Sequence, residues 1–161
     1  TDGACATRSR RYADSRYGVQ APGVPCGWSA WGGGVVPGGP YSPTILDHFK
    51  HPRNRGALPA PTVSQEGTNP LCGDRVRIEL ALNGDMVTEA RFTANACAIC
   101  VAASSMLTEL VRGAPLEDVE TLTVPELITQ LKSDIPSSRL ACVRLPLTVL
   151  HTGLLRYTRS R

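Results

Sequence analysis

The sequence predicts an α+β fold, a small antiparallel sheet packed by helices in one domain, and three observations carry that expectation. From Arg75 to Thr93, apolar and polar residues alternate with a period of two on either side of Asn83-Gly84. From Cys97 onward, apolar residues recur three and four positions apart, the spacing of a helix face. Ahead of both, the composition breaks at residue 41. Residues 1–40 contain nine Gly and four Pro but no Leu, Ile, Met or Phe, too little apolar surface to offset the entropy of ordering them. A disordered Gly/Pro-rich leader is therefore expected over residues 1–40 and the folded domain over residues 41–161. Cys5 and Cys26 fall in the leader and are set aside.

Length and charge exclude several classes of function. The 161 residues, 42% hydrophobic, suit one domain with a real core. No run of about 18 apolar residues exists, so no membrane span is expected. Most of the net charge of +3 comes from the leader, with its four Arg and two Asp, so no nucleic-acid surface is indicated. The first residues lack the basic-then-apolar order of an export signal. The expectation is a cytoplasmic protein whose cysteines serve metal or sulfur chemistry rather than disulfides.

Taken in order, Ser42 and Pro43 read as the cap and first residue of a short helix with Ile45, Leu46 and Phe49 on one face. His48 and His51 lack ligand spacing and are expected at the solvated surface. In the first hairpin strand Val76, Ile78, Leu80 and Leu82 are expected on one face, and Arg75, Arg77, Glu79 and Ala81 on the other. Asn83-Gly84 makes the turn, and Met86, Thr88, Ala90 and Phe92 share a face of the return strand, opposite Val87, Glu89, Arg91 and Thr93. An isolated hairpin is marginal in water, so a third short strand is expected before Asn69. The helix after Cys97 places Ala103, Met106, Leu107, Leu110 and Val111 on its face and stops at Gly113. Thr123-Val-Pro-Glu126 has the form of a capping box for a helix running to about Lys132. A last helix begins or kinks at Pro146, which puts Cys142 in or beside a helix entrance.

The chemistry gathers at Asn69-Pro-Leu-Cys-Gly-Asp74. Gly73 allows a turn that aims the thiol of Cys72 and the carboxylate of Asp74 at one point, half of a metal site. Cys97 and Cys142 are two further thiols that folding is expected to bring to this turn. At a helix N-terminus Cys97 would meet free amides and the positive end of the helix dipole, which favour a thiolate ready for metal binding or sulfur transfer. Cys100 completes a Cys-x-x-Cys with Cys97. It fits a sulfur-accepting or spare-ligand role, and equally a small apolar residue on the Ala103–Leu107 face. Arg139 fits either a cation that steadies thiolate charge or a solvated residue at a helix start.

These residues carry a resemblance. Asn69-Pro-Leu-Cys-Gly-Asp74, Ala96-Cys97-Ala-Ile before a helix of small residues, a third cysteine with Arg139 three positions before it, and the segment His51-Pro-Arg-Asn-Arg-Gly56 together resemble the iron-sulfur cluster assembly scaffold family of NifU N-terminal, IscU and SufU proteins. The resemblance covers about residues 41–157. It implies a three-stranded antiparallel sheet packed by helices. It also implies Cys72, Cys97 and Cys142 as thiolate ligands of a transient [2Fe-2S] cluster or of Zn2+, Asp74 as the fourth, exchangeable ligand, and Cys142 as the candidate sulfur acceptor. The implied partners are a cysteine desulfurase and apo iron-sulfur proteins or cluster carriers.

The chain departs from both main subtypes. Ala141 stands where IscU-type members place a His, and Ile135-Pro-Ser-Ser-Arg139 replaces their Leu-Pro-Pro-Val-Lys chaperone motif. The step from Cys97 to Cys142 is too short for the insertion of SufU-type members. The expected function is a scaffold or carrier more than a catalyst. The alternatives are a zinc-dependent sulfurtransferase and a zinc-stabilised interaction module.

Overall fold

The computed structural model describes residues 41–161, so the expected leader, with Cys5 and Cys26, lies outside the described residues. Helix α1 spans Pro43–Lys50. Strands β1 (Val63–Thr68), β2 (Arg75–Asn83) and β3 (Met86–Asn95) follow, then α2 (Ala98–Val111), α3 (Leu116–Glu120), α4 (Val124–Leu131) and α5 (Leu140–Arg159), the last entered through a 3-10 turn at Ser137–Arg139. The strands form one antiparallel sheet in the order β1-β2-β3, which is the expected α+β architecture with the expected third strand. None of the described helices is long and apolar enough to cross a membrane.

The core lies between one face of the sheet and the helices. Val76, Ile78, Leu80, Ala90 and Phe92 join a buried cluster with Ala102, Ala103 and Leu107 of α2 and with Val143, Leu147, Leu150 and Leu154 of α5. Helix α5 comes very close to β1. A methyl group added at Gly67 would stand 2.5 Å from Val149 Cγ2, and a β-branched residue inside a helix has little rotameric freedom to yield. Gly67→Ala is therefore expected to cost about 1–3 kcal/mol of stability, read as a lower urea midpoint with an unchanged slope.

Three expectations from periodicity need correction. Between Ala81 and Leu82 the β2–β3 register shifts: Ala81 pairs with Glu89 and Leu82 with Val87, leaving Thr88 as an extra residue whose hydroxyl donates to the Ala81 carbonyl at 3.0 Å. This bulge changes the inward face, so Val87 is buried and Met86 is exposed. The turn itself is Gly84-Asp85, with Asn83 paired to Met86. Glu79, expected in solvent, is buried because its carboxylate accepts the Leu58 amide at 2.7 Å and the Ser64 hydroxyl at 3.2 Å, pinning the segment before β1 against the sheet. In α1 the buried residues are Ile45 and His48, whereas Leu46 and Phe49 are exposed. Ile45 and His48, three positions apart, form a narrow inward stripe, and His48 meets Ser105 of α2.

His48 is the clearest departure. His51 is solvated as expected, but His48 lies buried with Nδ1 2.9 Å from Ser105 Oγ and Nε2 3.8 Å from Glu109 Oε2. Burial first, and the nearby Arg53 charge next, hold its pKa below the usual histidine range, while Glu109 and Asp47 oppose them. The sign of the pH dependence follows. The unfolded chain takes up a proton near pH 6.5 while the folded chain stays neutral, so this contribution to stability is present above that pH and is lost as pH falls below it. Urea unfolding at pH 7.5 and pH 5.5 is expected to show a larger loss in the wild type than in His48→Gln; equal losses would remove His48 as the cause.

Candidate metal and sulfur site

The loop Asn69–Asp74 is a hairpin loop whose own hydrogen bonds set its shape. Thr68 and Arg75 are the last paired residues of β1 and β2. The Asn69 amide donates to the Asp74 carbonyl and the Gly73 amide to the Asn69 carbonyl, both at 2.8 Å, while Asn69 Oδ1 accepts the Leu71 amide at 3.1 Å. Gly73 has φ +73°, the left-handed conformation that the turn requires and that other residues adopt at a cost. The result exposes Leu71 and Cys72 at the tip and buries Asp74 at the base.

Strand pairing brings the second thiol in. Arg75 pairs with Asn95, so the chain leaving β3 passes beside Asp74, and Cys97 becomes the N-cap of α2. Asp74 Oδ1 accepts the Cys97 amide at 3.0 Å, satisfying a donor at the helix entrance. Asp74 Oδ2 is buried and has no hydrogen-bond partner among the described residues. Cys142 is the third residue of α5 and is 2% exposed. Helix α5 thus starts six residues before Pro146, which it contains.

Cys72 Sγ, one Asp74 carboxylate oxygen and Cys142 Sγ all lie within 4.8 Å of one another. Donors around a tetrahedral Zn2+ with bonds of about 2.0–2.3 Å are separated by roughly 3.5–3.8 Å, so a small inward movement would close this group on an ion. Cys97 stands beside the group rather than in it, adjoining Asp74 through its amide and the Cys142 thiol through its side chain. The donor set, thiols with one unsatisfied buried carboxylate oxygen, fits a thiophilic metal. The remaining expected features divide. Arg139 is exposed, with its pKa held above the usual range first by interaction with Cys142 and then by Cys97. Cys100 is fully buried.

Two of the cysteines, Cys142 and Cys100, are held as thiols rather than thiolates. Burial first, then the Cys97 thiol, pushes Cys142 up, and burial followed by the Asp74 charge pushes Cys100 up. A bound cation reverses this balance by stabilising thiolates, so loading must release protons. Residue spacing gave no sign of the Asp74 cap on α2. The near-orphaned state of that carboxylate was equally hidden, because both depend on the β2–β3 register.

An α+β domain with thiols and a buried carboxylate gathered at one end of its sheet is a metal-binding domain, and comparison with known proteins places it further. The family model of the NifU-like N terminal domain matches residues 40–161. The chain belongs to this family. It is 37% identical over 120 residues to the iron-sulfur cluster assembly scaffold protein IscU of Aquifex aeolicus (strain VF5), covering 73% of this chain and 75% of that protein. It is 41% identical over 81 residues to the zinc-dependent sulfurtransferase SufU of Bacillus subtilis (strain 168), covering 50% of this chain and 52% of that protein, so this match spans about half of each. Among solved structures, the N-terminal NifU-like protein of Brucella abortus shares the fold with a TM-score of 0.64 at 18% identity, covering 76% of this chain and 96% of that one.

Proposed function

We propose that the chain is a scaffold that receives sulfur from a cysteine desulfurase and iron from a donor, assembles a [2Fe-2S] unit on Cys72, Cys97, Cys142 and Asp74, and passes it to apo-proteins or cluster carriers. The observation that supports this reading is Asp74. One oxygen is committed to the Cys97 amide, the other is buried without a partner among the described residues, and the carboxylate reaches within 4.8 Å of two thiols. A carboxylate is a harder and weaker partner than thiolate for iron in a cluster, so this is the bond that opens first when cargo leaves. Cys72, exposed at the loop tip, is the ligand that an incoming donor or acceptor thiol can reach. Arg139 offsets the negative charge that accumulates as three thiolates form. Cys142, beside both other thiols, is the candidate sulfur acceptor.

A second reading shares the residues. Zinc held by the same four groups would keep the thiols as thiolates, and one of them would take persulfide sulfur from the desulfurase, as the similarity to a zinc-dependent sulfurtransferase suggests. Anaerobic reconstitution with ferrous iron, cysteine and a cysteine desulfurase separates the two. Visible absorption from a chelator-labile cluster is expected; bound zinc with faster desulfurase turnover and no cluster would favour the second reading.

A further inference from the structure

Cys100 has no part in the four-ligand site, yet it is built into the same place. Cys97 is the N-cap of α2 and Cys100 its third residue, so the two thiols share one turn as Cys-x-x-Cys at a helix entrance, the arrangement used for dithiol–disulfide exchange. Cys100 and Cys142 lie in one buried cluster, with Cys97 packed against it. Asp74 Oδ2, buried and without a partner among the described residues, is an acceptor on the carboxylate whose other oxygen holds the Cys97 amide, and it suits the S–H of a persulfide or of hydrosulfide. A cluster needs sulfide, whereas a desulfurase delivers sulfur at the oxidation level of a persulfide. Two electrons per sulfur must come from somewhere.

We propose that Cys100 is a resolving thiol that, with Cys97, reduces protein-bound sulfane sulfur to sulfide. The inference rests on the sulfur-receiving reading above. Cys97 first attacks the outer sulfur of a Cys142 persulfide. This makes a Cys97 persulfide and returns the Cys142 thiol, with no net oxidation. Cys100 then attacks the inner sulfur of the Cys97 persulfide. A Cys97–Cys100 disulfide bond forms, the bond from Cys97 Sγ to the sulfane sulfur breaks, and that sulfur leaves with the electron pair and the Cys100 proton as hydrogen sulfide. The sulfur gains two electrons and the two thiols lose two. A dithiol reductant then returns the disulfide to thiols. Until it does so, Cys97 cannot serve as a ligand, which ties metal loading to completed reduction.

The test uses the full chain, reduced, freed of metal and reductant, and treated anaerobically with one equivalent of inorganic polysulfide. Wild type is expected to gain one sulfur atom by mass, then to release one sulfide per chain while losing two hydrogens, with the disulfide mapped to Cys97 and Cys100. Cys100→Ser and Cys100→Ala are expected to hold the added sulfur and release sulfide roughly tenfold more slowly or worse. Equal release from these variants, or a disulfide between other cysteines, overturns the proposal. Should the buried substitutions unfold the chain, the wild type still decides: excess oxidised glutathione must produce the same Cys97–Cys100 disulfide, and its absence is disproof. Wild type that takes up sulfur and keeps it sinks this inference alone, whereas wild type that takes up none sinks the sulfur-receiving reading as well.

Discussion

Cys72→Ser is expected to lose stable metal and cluster loading, with affinity down by at least about a hundredfold, because a thiolate bond to a thiophilic metal is exchanged for a hydroxyl that does not ionise. Cys142→Ser and Cys97→Ser are expected to do the same. The three differ in how cleanly they report. Cys72 is exposed at a loop tip, so its replacement disturbs no packing. Cys142 is 2% exposed, and its serine variant carries a hydroxyl into the core, so circular dichroism must accompany metal analysis. Cys97 stands outside the group gathered within 4.8 Å, and its assignment requires that loading draw it inward. Metal content after anaerobic loading checks all three, and full yield in any one variant removes that residue from the ligand set.

Asp74→Ala should produce the opposite of what losing a ligand suggests. If the carboxylate keeps the cargo labile, its removal leaves the thiolate bonds in place, so retention rises while transfer to an apo-acceptor slows by about tenfold or more. A structural zinc site would instead lose metal and stability together. The hydrogen bond from the Cys97 amide to Asp74 Oδ1 complicates the comparison, because alanine also strips the entrance of α2 of a charge-assisted bond worth about 1.5–3 kcal/mol. Asp74→Asn keeps an acceptor for that amide while removing the charge. Slower transfer in both variants, with stability lost chiefly in the alanine one, is the expected pattern; faster metal loss from Asp74→Asn contradicts the delivery role.

The fold was legible wherever one residue's environment is set by its own chain segment. Alternation located β2 and β3, and Thr123 with Glu126 located α4, whose capping box is present. It failed where a distant group decides. Glu79 is buried because Leu58 and Ser64 reach its carboxylate, and Thr88 is extra because β2 and β3 differ in length across the bulge. Ser105, 57 positions away, holds His48 inside. Helix α3 has five residues, too few for a period to register. At the site, residue types and motif order pointed to Cys72, Asp74, Cys97 and Cys142 as the groups to watch. Their unequal placement was not readable, since it follows from the β2–β3 register and from α5 starting before Pro146 rather than at it.

Cluster delivery from the intact chain is the most direct test of the whole account. The chain would be loaded anaerobically with ferrous iron, cysteine and a desulfurase, desalted, and mixed with an apo [2Fe-2S] acceptor in the presence of a chelator that traps free iron. The account predicts that the acceptor gains its cluster faster than from iron and sulfide alone and despite the chelator, with Cys72→Ser inactive as a donor. A chain that holds only zinc after loading, or whose transfer the chelator abolishes, would contradict it.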